Sequence, residues 1–308
     1  MHKGHAEVTL EVPPSIWRHR IWRVTLVLVG IIPLLGLTVS AQNFTPGSIR
    51  GSYSAVFLGK GGPIPTAAIG RITFDGAGKV TAGRTIWNVI DARYDERKNS
   101  EYPVTGGSYQ IDENGRGTLL TEGLPILSWQ LLVGDVETQP NGTVLAQTLD
   151  LVGDSMDPFG GNLITVSLNR YPDGATFALD QINGKYVREF TGHGGFSQLA
   201  AFGAVNIDGS GGITSAGNSI VNLPGPGLGE RVVTGLPAAG NLVLDSEGFG
   251  ILSVQEGQEG IDQGNVLVRK ATRDSEGNIV ALEAFLLFPE LFDLGNLSTG
   301  RVILQFEP

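Results

Sequence analysis

No cysteine occurs in the 308 residues, which excludes disulfides, thiol nucleophiles, Cys-ligated zinc and the lipid-bearing cysteine of a bacterial lipoprotein. Histidine is nearly as scarce. His2, His5 and His19 precede residue 42, so His193 is the only imidazole in the rest of the chain, and a multi-histidine metal site has no ligands to draw on. A Ser-His-Asp relay would have to use His193 in Thr191-Gly192-His193-Gly194-Gly195-Phe196-Ser197, while Lys60 holds the matched place in the first half of the chain. The glycines around it mark a loop, and a solvated loop histidine is the simpler reading. Basic residues are also in deficit: without residues 1–41, Lys+Arg falls from 21 to 17 and Asp+Glu from 31 to 29, a net charge of −12. Such a surface is not expected to take nucleic acid as a partner.

Glycine is plentiful instead. Its 45 copies follow no Gly-X-Y period, which points to many tight turns between short strands and therefore to an all-β chain. The first 41 residues stand apart: Arg18, Arg20 and Arg23 lead into an apolar run, Val24 to Leu37, and then Val39-Ser40-Ala41. This is the pattern of a signal peptide cleaved after Ala41, and the run approaches the length of an uncleaved signal anchor. Either way the expected location is secreted, periplasmic or in the cell envelope, with membrane contact only through that segment if it is kept.

Shifting the chain by 133 positions aligns Gly51 with Gly184, Tyr53 with Tyr186, Phe57 with Phe190, Gly70 with Gly203, Asp75-Gly76 with Asp208-Gly209, Gly107 with Gly240, Asp112 with Asp245 and Gly117 with Gly250. The chain therefore reads as a tandem duplication: 1–41 signal peptide or anchor, 48–172 first module, 173–180 linker, 181–308 second module. Each half is expected to close its own core and fold alone. In the first half, runs with period-two patterning fall near 51 to 58, 66 to 74, 79 to 88, 103 to 111, 116 to 122, 126 to 134, 143 to 150 and 162 to 170. About eight strands per module, joined by short turns, favour two up-and-down antiparallel β-barrels, because closure removes exposed edges. β-sandwiches are the alternative. A single sixteen-stranded outer-membrane barrel is disfavoured by the two Trp and six Tyr left after residue 41, too few for two aromatic girdles.

The phrases Gly51-x-Tyr53-x3-Phe57-x-Gly59, Gly70-x-Ile72-x-Phe74-Asp75-Gly76-x-Gly78-x-Val80-Thr81 and Gly107-x-Tyr109-x-Ile111-x3-Gly115-x-Gly117-Thr118-Leu119 resemble a group of uncharacterised secreted bacterial proteins with repeats of this form. The resemblance spans most of both modules and implies architecture and export, and it carries no activity. The second copy departs from it at Asn206, Ile207 and Leu242, where the tyrosine is lost. A looser likeness to lipocalin-type barrels lies in the opening Gly-x-aromatic.

The catalytic inventory is thin, and the chain reads as non-catalytic, with no catalytic residues, no metal and no cofactor expected. Asp75, Asp112, Asp208 and Asp245 recur at turns, but none completes calcium-loop spacing, and an aspartate bonded to its own backbone is the better account. Glu256, Glu259 and Asp262 form an acidic stretch that could hold a cation weakly, though a charged loop is usually only solvated. Gly59-Lys60-Gly61-Gly62 lacks the Gly-Lys-Ser/Thr ending and the helix of a phosphate cradle. The expected function is binding of a small apolar ligand, a glycan or a protein, the alternative being a carboxylate- or tyrosine-dependent enzyme working in a barrel cavity. Tyr53, Phe57, Phe74, Trp129, Tyr186 and Phe190 are the candidate ligand-binding residues: they alternate along strands, where core packing is the ordinary role and lining of an apolar pocket the functional one. The charged stretch Asp91 to Tyr102 and its unlike counterpart Asn222 to Glu230 read as variable loops that could carry specificity.

Overall fold

The computed structural model describes residues 43–62, 65–91, 96–158, 161–193, 200–215, 220–225, 229–234, 238–256, 261–289 and 297–304. The first half contains β1 (Arg50–Lys60), β2 (Ala67–Asp75), β3 (Lys79–Asp91), β4 (Glu96–Val104), β5 (Gly106–Ile111), β6 (Arg116–Glu122), β7 (Ser128–Val133), β8 (Val136–Thr138), β9 (Val144–Ala146), β10 (Thr148–Met156) and β11 (Leu163–Arg170). The second contains β12 (Asn183–His193), β13 (Ala200–Asp208), β14 (Gly212–Ser215), β15 (Ile220–Gly225), β16 (Gly229–Thr234), β17 (Ala238–Leu244), β18 (Phe249–Glu256), β19 (Ile261–Arg273), β20 (Ile279–Phe288) and β21 (Leu297–Leu304).

Both sheets close. In the first, β1 pairs with β11 on one side and β2 on the other, and the order runs β2-β1-β11-β10-β7-β6-β5-β3 before β3 returns to β2. In the second, β12 pairs with β21 and β13, through β20, β19, β18, β17 and β14. These are two eight-stranded antiparallel barrels in tandem, as the patterning predicts, and neither two sandwiches nor one sixteen-stranded ring. Along β6, Leu119 and Thr121 face the barrel interior while Arg116, Thr118 and Glu122 are exposed.

The two stretches read as variable loops are instead hairpin strands. β3 runs on to Asp91 and β4 returns from Glu96, paired from Asp91↔Glu96 to Gly83↔Val104. The counterparts β15 and β16 pair from Ile220↔Thr234 to Gly225↔Gly229. The sequence conceals β4 because Glu-Arg-Lys-Asn-Ser-Glu-Tyr-Pro-Val carries little apolar alternation of its own, although Trp87 and Val89 on its partner β3 are buried in the first core.

The turns owe their repetition to one device. Asp75 Oδ1 accepts the N–H groups of Ala77 and Lys79 at 2.6 and 2.9 Å, and Asp112, Asp208, Asp245 and Asp274 each do the same for the residues two and four further on. Gly76 and Gly209 sit at φ 78° and 75°, where a β-carbon is strained. Gly117 and Gly250 are kept for a different reason: a β-carbon there would stand 1.9 Å from Gln110 O and 2.2 Å from Val243 O across the hairpin.

These bonds hold Asp75 below the usual carboxylate range, chiefly through the N–H of Lys79 and then that of Ala77, and hold Asp208 down chiefly through the Ser210 hydroxyl and N–H. A folded-state value below the unfolded one adds stability that is complete above the ordinary aspartate pKa of about 3.9 and is lost as pH falls through the lowered value. The melting temperature is therefore expected to fall on acidification below about pH 4. The double variant Asp75→Asn, Asp208→Asn should flatten that acid limb in circular-dichroism melts; an unchanged limb would assign it to other groups.

Each barrel has its own core, one around Tyr53, Phe57, Trp87 and Trp129, the other around Tyr186, Phe190, Leu252 and Phe288. A third apolar cluster joins them: Ala67, Ile69 and Ile86 from the first barrel pack against Phe249, Leu267 and Leu287 from the second. Polar ties reinforce it. Ser54 Oγ donates to Arg269 O at 2.6 Å, the Tyr171 hydroxyl donates to Val268 O, and Arg84 pairs with Asp245 at 2.9 Å. The segment expected as a linker is built into the second core, with Ala175 and Phe177 buried there and Tyr171 beside Phe177 at 5.0 Å between ring centroids. Residues 42–308 accordingly form one compact unit.

Candidate functional site

All six aromatic candidates point inward and are buried. In the first barrel they pack on one another: Tyr53 meets Phe74 edge-on at 5.4 Å, Phe74 meets Tyr109 at 5.4 Å, and Phe57 lies 5.0 Å from Trp87 and 5.9 Å from Trp129. Edge-to-face pairs at these distances fill space and leave no ring face for a guest. Their polar ends are satisfied locally. Tyr53 donates to Ala146 O at 2.8 Å, Tyr109 to Ile49 O at 2.7 Å, and the Trp129 indole to Thr121 Oγ1 at 3.1 Å.

The second barrel carries the same scaffold with smaller contents. Ile207 stands where the first barrel has Phe74, and Leu242 where it has Tyr109; both line an apolar cavity of about 30 Å³ inside the barrel, together with Phe190, Leu252 and Val266. By the measure in which one water needs roughly 10–15 Å³, this is room for about two. Arg188 is also in its wall. That position, between Tyr186 and Phe190 on β12, is occupied by Ala55 in the first barrel. Arg188 is 3% exposed and lies 5.8 Å from the centroid of Phe190. Of the aromatic candidates, Phe190 alone is among the lining residues of this cavity, and Tyr186 packs in the surrounding core.

A compensating exchange explains why the second barrel does not collapse. Trp129 is paired with Leu119 on one side and Gly153 on the other. In the second barrel the partner of Leu252 is Gly264, and the Phe288 ring fills the space above it, 2.6 Å from where a β-carbon would be. Large over small has become small under large. The sequence offset lengthens from 133 to 135 at this strand, which is why the exchange is invisible in a fixed alignment. The departures at Ile207 and Leu242 were legible as such; Arg188 was missed, and its signal was an arginine at an inward position of an alternating strand.

Several buried ionisable groups have partners within the fold. Burial pushes the Tyr186 phenol up to about 12 and raises Tyr53 and Tyr171 as well, so these hydroxyls stay protonated donors at neutral pH. Buried Glu283 pairs with Arg269 and with Lys270 at 3.6 Å, and buried Asp157 accepts the Asn162 N–H at 2.9 Å. No group of three or more acidic, histidine or cysteine side chains able to hold a metal occurs among the described residues. The acidic stretch of Glu256, Glu259 and Asp262 has its side chains outside the described residues, as does the side chain of His193. No helix among the described residues is long and apolar enough to cross a membrane.

No family model and no curated protein matches the chain. Among solved structures, it is similar to a protein of Nitrosomonas europaea assigned as AttH, at 12% identity over 83% of this chain and 92% of that one, with a TM-score of 0.26. It is also similar to kievitone hydratase from Nectria haematococca, at 8% identity over 87% and 95% with a TM-score of 0.26, and to CghA, at 10% identity over 83% and 89% with a TM-score of 0.21. Superpositions this loose say nothing about activity.

Proposed function

We propose that the chain is a non-catalytic binding protein whose second barrel takes a small apolar ligand, while the first is a solid support. The observation that carries this reading is the contrast between duplicated interiors: one is filled by interlocked rings, and the other has a small apolar cavity among mostly aliphatic side chains. A cavity of this size is smaller than the few hundred Å³ of an ordinary ligand site, so a guest enters by displacing aliphatic rotamers, which costs less than moving packed rings. Glycan and protein partners have no comparable feature supporting them. For location we propose export, on the strength of Arg18, Arg20 and Arg23 before the apolar run and Ala41 after it.

The reading is tested by putting the first barrel's side chains into the second. The double variant Ile207→Phe, Leu242→Tyr should fill the cavity, cost about 1–3 kcal/mol through overpacking, and abolish uptake of hexan-1-ol measured by titration calorimetry on residues 42–308. Equal uptake by variant and parent, or none by the parent, would remove the second barrel as the ligand seat.

A further inference from the structure

We infer that the cleft between the two barrels is a second site, for a small zwitterion of the free α-amino acid class, with Arg71 taking the carboxylate and Glu247 the ammonium group. It is separate from the cavity inside the second barrel, and neither reading depends on the other. Arg71 on β2 and Arg84 on β3 stand directly opposite one another on the first barrel, a like-charge pairing that costs stability unless each charge is met. Arg84 is met: it pairs with Asp245 of the second barrel at 2.9 Å and with Glu101 of its own at 3.0 Å. The corresponding second pair across the junction is split. Arg71 donates to the main-chain carbonyls of Glu247 at 3.0 Å and Ala175 at 3.5 Å, not to the Glu247 carboxylate, although both residues line the same cleft.

That cleft has a volume of about 310 Å³, the few hundred Å³ of an ordinary small-molecule site, and domain junctions are a usual place for one. Thr176 and Ser246 border it as well, with hydroxyls able to donate or accept. The guanidinium is held beside the Tyr171 ring, 5.4 Å from its centroid, and its two carbonyl bonds use two of five N–H donors, so a carboxylate can be taken by the others. A carbonyl dipole does not neutralise the charge. The duplication supplies a comparison: Ala204 holds the place of Arg71 in the second copy, and Asn114 that of Glu247 in the first, so these opposite charges occur only on the surfaces that border the cleft. A lone anion would be repelled by Glu247 and a lone cation by Arg71. A molecule carrying both charges completes the missing pair.

The test compares L-serine with molecules that keep one of its charges, D-glycerate and ethanolamine, by titration calorimetry on residues 42–308 at neutral pH. L-Serine should bind at least about tenfold more tightly than either, as expected for one further charge-assisted bond. Glu247→Gln should weaken L-serine and strengthen D-glycerate, because the same change removes the ammonium's partner and the anion's repulsion; a merely structural role would produce no such reversal. Arg71→Gln should weaken L-serine and D-glycerate alike. If D-glycerate binds as tightly as L-serine, the zwitterion class is overturned. If none of the three binds, the cleft is no ligand site, while the cavity of the second barrel is untouched by that result. Where Arg71→Gln does not fold, the three-ligand comparison on the unaltered protein and Glu247→Gln, a change at an exposed turn residue, still decide the matter.

Discussion

Expressed separately, residues 42–172 and 173–308 are expected to fail as independent, cooperatively melting proteins, although each carries all the strands of one barrel. The cut uncovers Ile69, Ile86, Phe249, Leu267 and Leu287, all buried in the cluster between the barrels. At about 1.5–3 kcal/mol for each large side chain returned to water, the loss is on the order of 8–15 kcal/mol, comparable to the whole stability of a domain, about 5–15 kcal/mol. The cut also takes Phe177 away from Tyr171 and strands Tyr171 from its acceptor, Val268 O. Sequence reasoning favours independent halves because the repeat is complete in each; the shared cluster favours mutual dependence. Mixing or co-expressing the halves should restore a single cooperative transition near that of the intact chain. Two separate, sharp, unassisted transitions would show that the interface adds little.

The second large effect concerns Trp129, which is fully buried against Phe57. Trp129→Gly should destabilise the protein by about 3–5 kcal/mol or more, the usual cost of deleting a large core ring and leaving its cavity. The second barrel supplies the remedy. There glycine lies under Phe288, and Gly153, beside Trp129 in the first barrel, is the equivalent place for a ring. Adding Gly153→Phe to Trp129→Gly should recover about 1–3 kcal/mol, a coupling of the size seen for residues in direct contact. Denaturant melts of the parent, both single variants and the double variant close the cycle. Additive effects would mean that the two barrels fill this layer by unrelated means.

Much of this was legible in the sequence, because much of it is local. Asp75 and Asp112 bond to amides two and four residues along, and Gly76 needs its left-handed φ within the same turn, so the motif and the physics occupy the same few residues. Alternation fixed which side chains of β1 and β12 face inward, since the strand period is two. A repeat of these turns and alternations, held over both halves, is enough to specify two antiparallel barrels.

What decided the rest acts across the chain. The outer strands of the two hairpins, β4 and β16, are placed by their pairing with β3 and β15. The bond from Ser54 to Arg269 spans 215 residues, and the cluster around Phe249 and Leu267 reads in sequence like any other pair of buried strand positions. The exchange of Trp129 and Gly153 for Gly264 and Phe288 becomes visible only when strands are matched by their partners. Whether an inward side chain fills a core or borders a cavity depends on the combined volume of residues brought together from separate strands, and that is why the sequence determined two barrels with inward aromatics, while the tertiary structure alone decided that rings pack on one another in the first barrel and that a small apolar cavity lies in the second.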